Sequence, residues 1–210
     1  MSERPGSVSD VIRAMRRGKG RPRPELAEQA DHLPANLRGL PSPTLNRPVL
    51  IGAAPGPRTH PDLALFPAPP TSAGGRLFSW TGLTVEQYMR AFDRVNLLYE
   101  HPGKYPGGSE DKFPRTLGRA AAQAMRPWLF GREVLLVGRD VARAFDVPDD
   151  HPWMEWREMP TWRIRYACIP HPSGRNHWYN EAGNIKAVSE FLQAWIAVAF
   201  SSRGEDDQPA

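Results

Sequence analysis

Apolar residues follow two alternating patterns along this chain. Mainly apolar runs of strand length, typical of strands buried on both faces, occupy residues 48–52, 94–99, 133–137 and 164–169. Segments with apolar residues every three or four positions lie between and after them, and this spacing is typical of helices that pack one face on a sheet. The alternation predicts an α/β domain with three layers (α/β/α) around a central four-stranded parallel sheet.

Two of the predicted helices are marked by strong local signals. Thr84 and Gln87 have the spacing of a capping box, which predicts a helix from Val85 to about Asp93. The last helix is predicted by apolar residues that share one face, namely Ile185, Val188, Phe191, Leu192, Trp195 and Ile196.

The other connections are predicted from composition. Helices are expected at 115–129 and, more briefly, after Gly138 through Phe145. A long loop is expected from the end of the first strand to about Ala73, and an acidic, Trp-bearing connection is expected at 149–161.

Charge divides the chain into three parts. Residues 1–47 hold nine Lys and Arg against five Asp and Glu, whereas the rest of the chain holds eighteen of each. We therefore expect a flexible basic arm at 1–47, a folded domain at 48–200 and an acidic, unstructured tail at 201–210.

The densest basic run of the arm lies between residues 10 and 25, where six Lys and Arg occur without an acid. Because such a run neutralises phosphates, we expect DNA as a partner, contacted by Lys19, Arg21 and Arg23. The segment Lys19-Gly20-Arg21-Pro22-Arg23-Pro24 resembles an AT-hook, which lies in the narrow minor groove of A·T-rich DNA. A plain electrostatic tether is the alternative interpretation.

Composition excludes several other classes. Cys168 is the single cysteine, so one chain cannot form an internal disulfide or a four-thiolate metal site. No apolar stretch approaches the roughly 18 residues of a membrane span, and the first residues lack the apolar core of a signal peptide. His60, His101 and His151 show no ligand spacing, so neither a metal nor another cofactor is expected. We expect a cytoplasmic, nucleoid-associated monomer.

Two loops define a candidate site. Gly52-Ala53-Ala54-Pro55-Gly56 follows the first predicted strand, and His171-Pro172-Ser173-Gly174-Arg175-Asn176 follows the last one. Both should emerge at the carboxyl edge of one parallel sheet, where open α/β folds bind ligands. The second loop supplies an imidazole, a hydroxyl and an amide, whereas the first carries no acidic side chain.

These two loops, together with three short sequence elements that lie between them in the chain, resemble the motifs of the uracil-DNA glycosylase superfamily over residues 48–198. Gly52–Gly56 is similar to the first motif, which is GEAPG in the branch that usually carries an iron-sulfur cluster. The other pieces follow in the family's order: Phe66, Gly75-Arg76-Leu77, Asn96 and the His171–Asn176 loop.

The resemblance implies roles for these residues in a flipped-base pocket. It implies that the Gly52–Gly56 turn shapes the pocket, that Phe66 stacks on the base and that Asn96 reads its edge. His171 would stabilise the negative charge that develops on the departing base.

The resemblance also implies contacts to DNA around the His171 loop. Ser173 and the backbone at Gly174 would grip a phosphate, and Arg175 would enter the emptied stack or contact bases. Asn176 and Arg76 are further expected DNA contacts.

The first motif departs from the family pattern. Ala53 and Ala54 occupy the positions that normally supply an acid or amide, and neither can activate water. Asp62, on the same predicted loop, is the nearest spare carboxylate and the expected substitute, with an ordinary solvated carboxylate as the alternative. The cluster cysteines are also absent, so the resemblance implies a divergent, metal-free member.

Structural roles compete with each assignment. His171 is alternatively a helix cap or a pocket filler, Phe66 a core residue and Asn96 a buried structural amide. Trp178, next to the second loop, is expected to pack against the last helix, with stacking on an unpaired base as the alternative.

Three functions follow as hypotheses. The first is a DNA glycosylase that removes uracil or another altered base, acting through His171 and Asp62. The second is a catalytically weak or inactive nucleic-acid-binding protein of the same fold. The third is an enzyme acting on a free nucleotide or modified base, against which the basic arm argues.

Overall fold

The computed structural model describes residues 47–57, 59–60, 62–104, 113–181 and 183–201. The predicted arm, except Arg47, and the predicted tail, except Ser201, therefore lie outside the described residues.

The described chain forms an α/β domain around one five-stranded sheet. Its strands are β1 (Val49–Gly52), β2 (Asp93–Asn96), β3 (Glu133–Val137), β4 (Arg157–Met159) and β5 (Ile164–Ile169), arranged in the order β2-β1-β3-β5-β4. β1 pairs in parallel with both β2 and β3, and β3 pairs in parallel with β5. β1 and β3 are therefore central, which agrees with their almost complete burial.

The prediction of a sheet with only four parallel strands is wrong. β4 lies in the segment predicted as a connection and pairs antiparallel with β5, so the sheet is mixed. Two of the three β4 residues are exposed, so this edge strand lacks the apolar run that marks a buried strand in a sequence.

In the part of the chain that the structure describes, five α-helices cover the sheet: α1 (Ala73–Thr81), α2 (Val85–Ala91), α3 (Arg115–Leu129), α4 (Arg139–Ala144) and α5 (Asn184–Ser201). The capping box of Thr84 and Gln87 is present. α1 was not predicted, because it begins with Ala73-Gly74-Gly75, and glycine disfavours helix. A Ser72 side chain that accepts a hydrogen bond from the Gly75 amide caps it.

Two apolar layers separate these helices from the sheet. One packs α3 and α4 against one face, through residues such as Met125 and Phe145. The other packs α1, α2 and α5 against the opposite face, through residues such as Leu77, Tyr88 and Leu192. The domain is thus consistent with a three-layer α/β/α class. No helix in the described part of the chain is long and apolar enough to span a membrane.

The predicted apolar face of α5 is mostly correct. Val188, Leu192, Trp195 and Ile196 are buried, but Ile185 in the first turn remains 45% exposed. Helical spacing shows which residues share a face but not how far along the helix that face is covered.

A buried ion pair joins the strands at the edge opposite to the predicted site. The Arg132 guanidinium contacts Asp93 at the start of β2 and donates to the Arg47 carbonyl oxygen at 2.6 and 2.9 Å. Both side chains are nearly inaccessible, so removing one partner would leave a buried, uncompensated charge, which destabilises by roughly 3–5 kcal/mol.

His151 is a buried polar residue of a different kind. Its ring lies 5.1 Å from the Tyr166 ring and is 3% exposed, and neither ring nitrogen has a hydrogen-bond partner among the described residues. Burial lowers the pKa of His151, and the positive charge of Arg157 contributes in the same direction.

We expect His151→Phe to make the protein less sensitive to acid. The pKa of His151 is lower in the folded than in the unfolded protein, so protonation of this histidine favours unfolding. The free energy of unfolding therefore falls as pH drops below about 6.5, by up to about 1.4 kcal/mol per pH unit. Urea unfolding at pH 7 and pH 5 should show a smaller loss for His151→Phe than for wild type, with equal or higher stability at pH 7. The exposed His177→Phe serves as control, and equal losses in wild type and His151→Phe would contradict the prediction.

Candidate functional site

A cleft of about 420 Å³ opens at the carboxyl ends of β1, β2, β3 and β5. The predicted residues that line it are the whole segment Gly52–Gly56, Phe66, Asn96 and His171. Its size lies within the range of small-molecule pockets, roughly 300–1,000 Å³. Residues from four separate parts of the chain thus meet at one edge of the sheet.

Gly52 and Asn96 form the floor of the cleft at neighbouring strand ends. They are register partners in β1 and β2, and the Leu97 amide donates to the Gly52 carbonyl oxygen at 2.9 Å. A Cβ atom on Gly52 would lie 2.4 Å from Asn96 Oδ1, so only glycine leaves room for this amide. Asn96 is 7% exposed and its side chain makes no hydrogen bond to any described residue, which leaves it available to a ligand.

Phe66 lies in a wall that other elements hold in place. The preceding residue, Leu65, has a φ of 48°, a strained conformation for a residue with a Cβ atom. Its carbonyl oxygen accepts a 3.0 Å hydrogen bond from the buried Tyr88 hydroxyl. The start of α1 abuts the same wall, because a Cβ on Gly74 would meet the Phe66 carbonyl oxygen at 2.2 Å. Phe66 is partly buried and lines the cleft, so its ring has accessible surface.

The His171 loop is fixed by its own side chains. Asn176 donates to the His171 carbonyl oxygen at 2.9 Å and accepts from the Trp178 amide at 3.1 Å. The Tyr179 hydroxyl donates to the Pro170 carbonyl oxygen at 2.7 Å. Asn176 therefore shapes the loop, a role that the sequence did not suggest. Trp178 packs in the apolar layer that contains α5, as expected.

The electrostatic environment keeps the His171 imidazole neutral at pH 7. Burial lowers the pKa of His171 below its ordinary value, and the negative charge of Asp140 partly opposes that shift. A neutral imidazole donates one N–H and avoids placing a full charge in the cleft, so it suits hydrogen bonding to an oxygen that gains negative charge.

Asp140 and His101 line the cleft but were not predicted as site residues. Asp140 lies three residues after the end of β3, at the same carboxyl edge as the two predicted loops, so the same position argument would have found it. The His101 ring shares a 3.3 Å hydrogen bond with the Pro55 carbonyl oxygen, which joins two walls of the cleft.

Asp62, the predicted catalytic carboxylate, is not brought to the cleft. It borders a neighbouring depression together with Arg47 and Arg94. One carboxylate oxygen lies 3.7 Å from His60 Nδ1, and the other is buried without a hydrogen-bond partner among the described residues. Ala53 and Ala54 pack against the core and present only methyl groups.

Arg76 and Gly174 lie together beside the cleft. A Cβ on Gly174 would be 3.0 Å from a terminal nitrogen of the Arg76 guanidinium. The buried Arg76 Nε has no hydrogen-bond partner in the described ranges, and no ion pair of Arg76 occurs there. Arg175 and Gly174 are exposed and Ser173 is partly buried. A cationic group is thus placed beside a turn of accessible backbone.

Lys19, Arg21 and Arg23 lie outside the described residues. Over the ranges that are described, no group of three or more His, Cys, Asp or Glu is placed to hold a metal ion.

No protein-family model matches this chain, and no curated protein matches it significantly.

We expect Gly52→Ala to impair ligand binding in the cleft, because the new methyl group would displace the Asn96 amide. The control is Lys186→Ala, an exposed residue of α5 that does not line the cleft. Titration with a free pyrimidine base, followed by Trp fluorescence, should show at least tenfold weaker binding for Gly52→Ala only. Equal affinity of the two variants would contradict the assigned role of Gly52.

Proposed function

We propose that this protein is a DNA glycosylase with a uracil-DNA glycosylase-like fold, which hydrolyses the N-glycosidic bond of uracil or another altered base flipped out of DNA. The observation that carries the proposal is the shared cleft: an aromatic ring, an amide with no hydrogen-bond partner among the described residues, and a neutral imidazole meet there. These are Phe66, Asn96 and His171. The apolar walls and few polar groups suit a planar heterocycle with hydrogen-bonding edges.

The three side chains have complementary tasks. The Phe66 ring provides a surface for stacking, and the Asn96 amide has both a donor and an acceptor for the edge of a base. When the glycosidic bond breaks, negative charge develops on the base, and an N–H of His171 stabilises it.

DNA is the proposed macromolecular partner. The Arg76 guanidinium and the backbone turn at Gly174 form a phosphate contact beside the cleft, with Arg175 exposed next to them. The basic residues of the arm would add attraction that does not depend on sequence. We propose that the protein acts as a monomer in the cytoplasm, associated with the nucleoid.

A second candidate function is recognition of nucleic acid without hydrolysis. It is favoured by Ala53 and Ala54, which leave the first loop without any group able to activate water. Tight binding of lesion-containing DNA with no base released from a panel of altered bases would favour it over the first.

We expect wild-type protein to release uracil or another altered base from synthetic oligonucleotides, and His171→Ala to be slower by about 10²–10³-fold because the base anion loses its donor. Alkali cleaves the resulting abasic sites, so gel electrophoresis measures the single-turnover rate. His177→Ala changes an exposed histidine at the start of a short 3₁₀ helix, His177–Asn180, and is the control, which should react at the wild-type rate. An unchanged rate in His171→Ala would refute its role.

We expect Arg76→Gln to weaken DNA binding and to lower its dependence on salt. Loss of one phosphate contact reduces the slope of log affinity against log salt concentration by about 0.9. Fluorescence anisotropy at several salt concentrations measures both quantities. Arg90→Gln is the matched control, since Arg90 is exposed and pairs with Glu86 on α2. A wild-type slope in Arg76→Gln would refute the proposed contact between Arg76 and a phosphate.

A further inference from the structure

The strand order places the end of β3 between the two predicted loops. β3 lies between β1, which leads to Gly52–Gly56, and β5, which leads to His171. At this end Gly138 contacts the His171 loop, since a Cβ there would lie 3.1 Å from His171 Cβ. Asp140 follows in the first turn of α4. Of the described residues that line the cleft, Asp140 alone carries a carboxylate.

The contacts of Asp140 leave its carboxylate accessible. The side chain is 47% exposed, and its one ion pair in the described structure is to Arg143 at 3.3 Å. Arg143 is bound more closely by Asp149, at 2.7 and 3.1 Å. Asp140 also borders a second depression next to the cleft, so water reaches it from two sides. Its charge acts on the His171 imidazole, which places the two groups within electrostatic range.

We propose that Asp140 is the catalytic carboxylate of this cleft and replaces, from a different strand end, the acid that the first loop lacks. This inference rests on the proposed function. The carboxylate faces the sugar and stabilises positive charge at C1′ as the bond from C1′ to the base nitrogen breaks and its electron pair leaves with the base. A water oxygen then bonds to C1′, and its proton passes to Asp140. That proton returns through solvent to the base anion, so free base and an abasic sugar result.

The position of Asp140 separates it from the alternative acid. Asp62 borders a different depression, which shares only Leu63 and Phe66 with the described lining of the cleft. Asp140 shares the cleft with His171 and Asn96, which act on the base. A carboxylate on the sugar side and an imidazole on the base side divide the two developing charges between them.

The test uses two abasic-site analogues in otherwise identical duplexes. One contains neutral tetrahydrofuran in place of the sugar, and the other contains a protonated pyrrolidine that carries the positive charge of the transition state. A carboxylate near that charge favours the cation, so wild-type protein should bind the pyrrolidine duplex at least tenfold more tightly. Asp140→Asn should lose this preference while it keeps its affinity for tetrahydrofuran. Asp146→Asn, an exposed acid that pairs with Arg119 and does not line the cleft, is the matched control and should keep the preference.

Base release gives a second readout. Single-turnover release should fall at least 100-fold in Asp140→Asn and stay near wild type in Asp146→Asn. If Asp140→Asn keeps both the cation preference and the rate, Asp140 has no catalytic role, and the proposed glycosylase stands without it. If wild-type protein binds tetrahydrofuran DNA without preferring the cation, the Asp140 inference also fails alone. If wild type binds neither duplex, the proposed function fails and Asp140 with it.

Discussion

The parallel pairing of β1 with β2 on one side and β3 on the other is the constraint on which the site depends. Parallel strands all begin at the same edge of the sheet, the entry edge, so their carboxyl ends lie side by side at the opposite edge, the exit edge. Both faces of the sheet are covered by apolar layers, which fixes the register through burial on each side. The cleft is therefore built at a rigid edge, with side chains that arrive from four distant parts of the sequence.

The two edges of the sheet carry different kinds of polar interaction. At the entry edge, Arg132 and Asp93 satisfy each other and bind the backbone of Arg47, so their charges are used within the fold. At the exit edge, neither the Asn96 side chain nor the Arg76 Nε has a hydrogen-bond partner among the described residues. Unsatisfied polar groups near a cleft are costly to the fold and are retained where a ligand completes them.

The motifs of this site resemble a family pattern, but the charged group of the site lies in a different position. The loop of Ala53 and Ala54 keeps the shape of the first motif and presents no reactive group, while His171 is held neutral by burial. The carboxylate within the cleft belongs to Asp140, on the turn between β3 and α4. A fold of this kind permits such relocation, because every strand end reaches the same edge.

The sequence by itself determined the four parallel strands, most helices and the paired loops, because burial on both faces leaves continuous apolar runs and caps leave local signals. It missed β4 and α1, which are exposed or glycine-rich and lack those signals. Only the tertiary structure decided that Asp62 lies outside the cleft and Asp140 within it, or that Asn176 shapes the loop. A carboxylate's place depends on strand order and loop path, which are set by long-range packing and leave no periodic trace in the sequence.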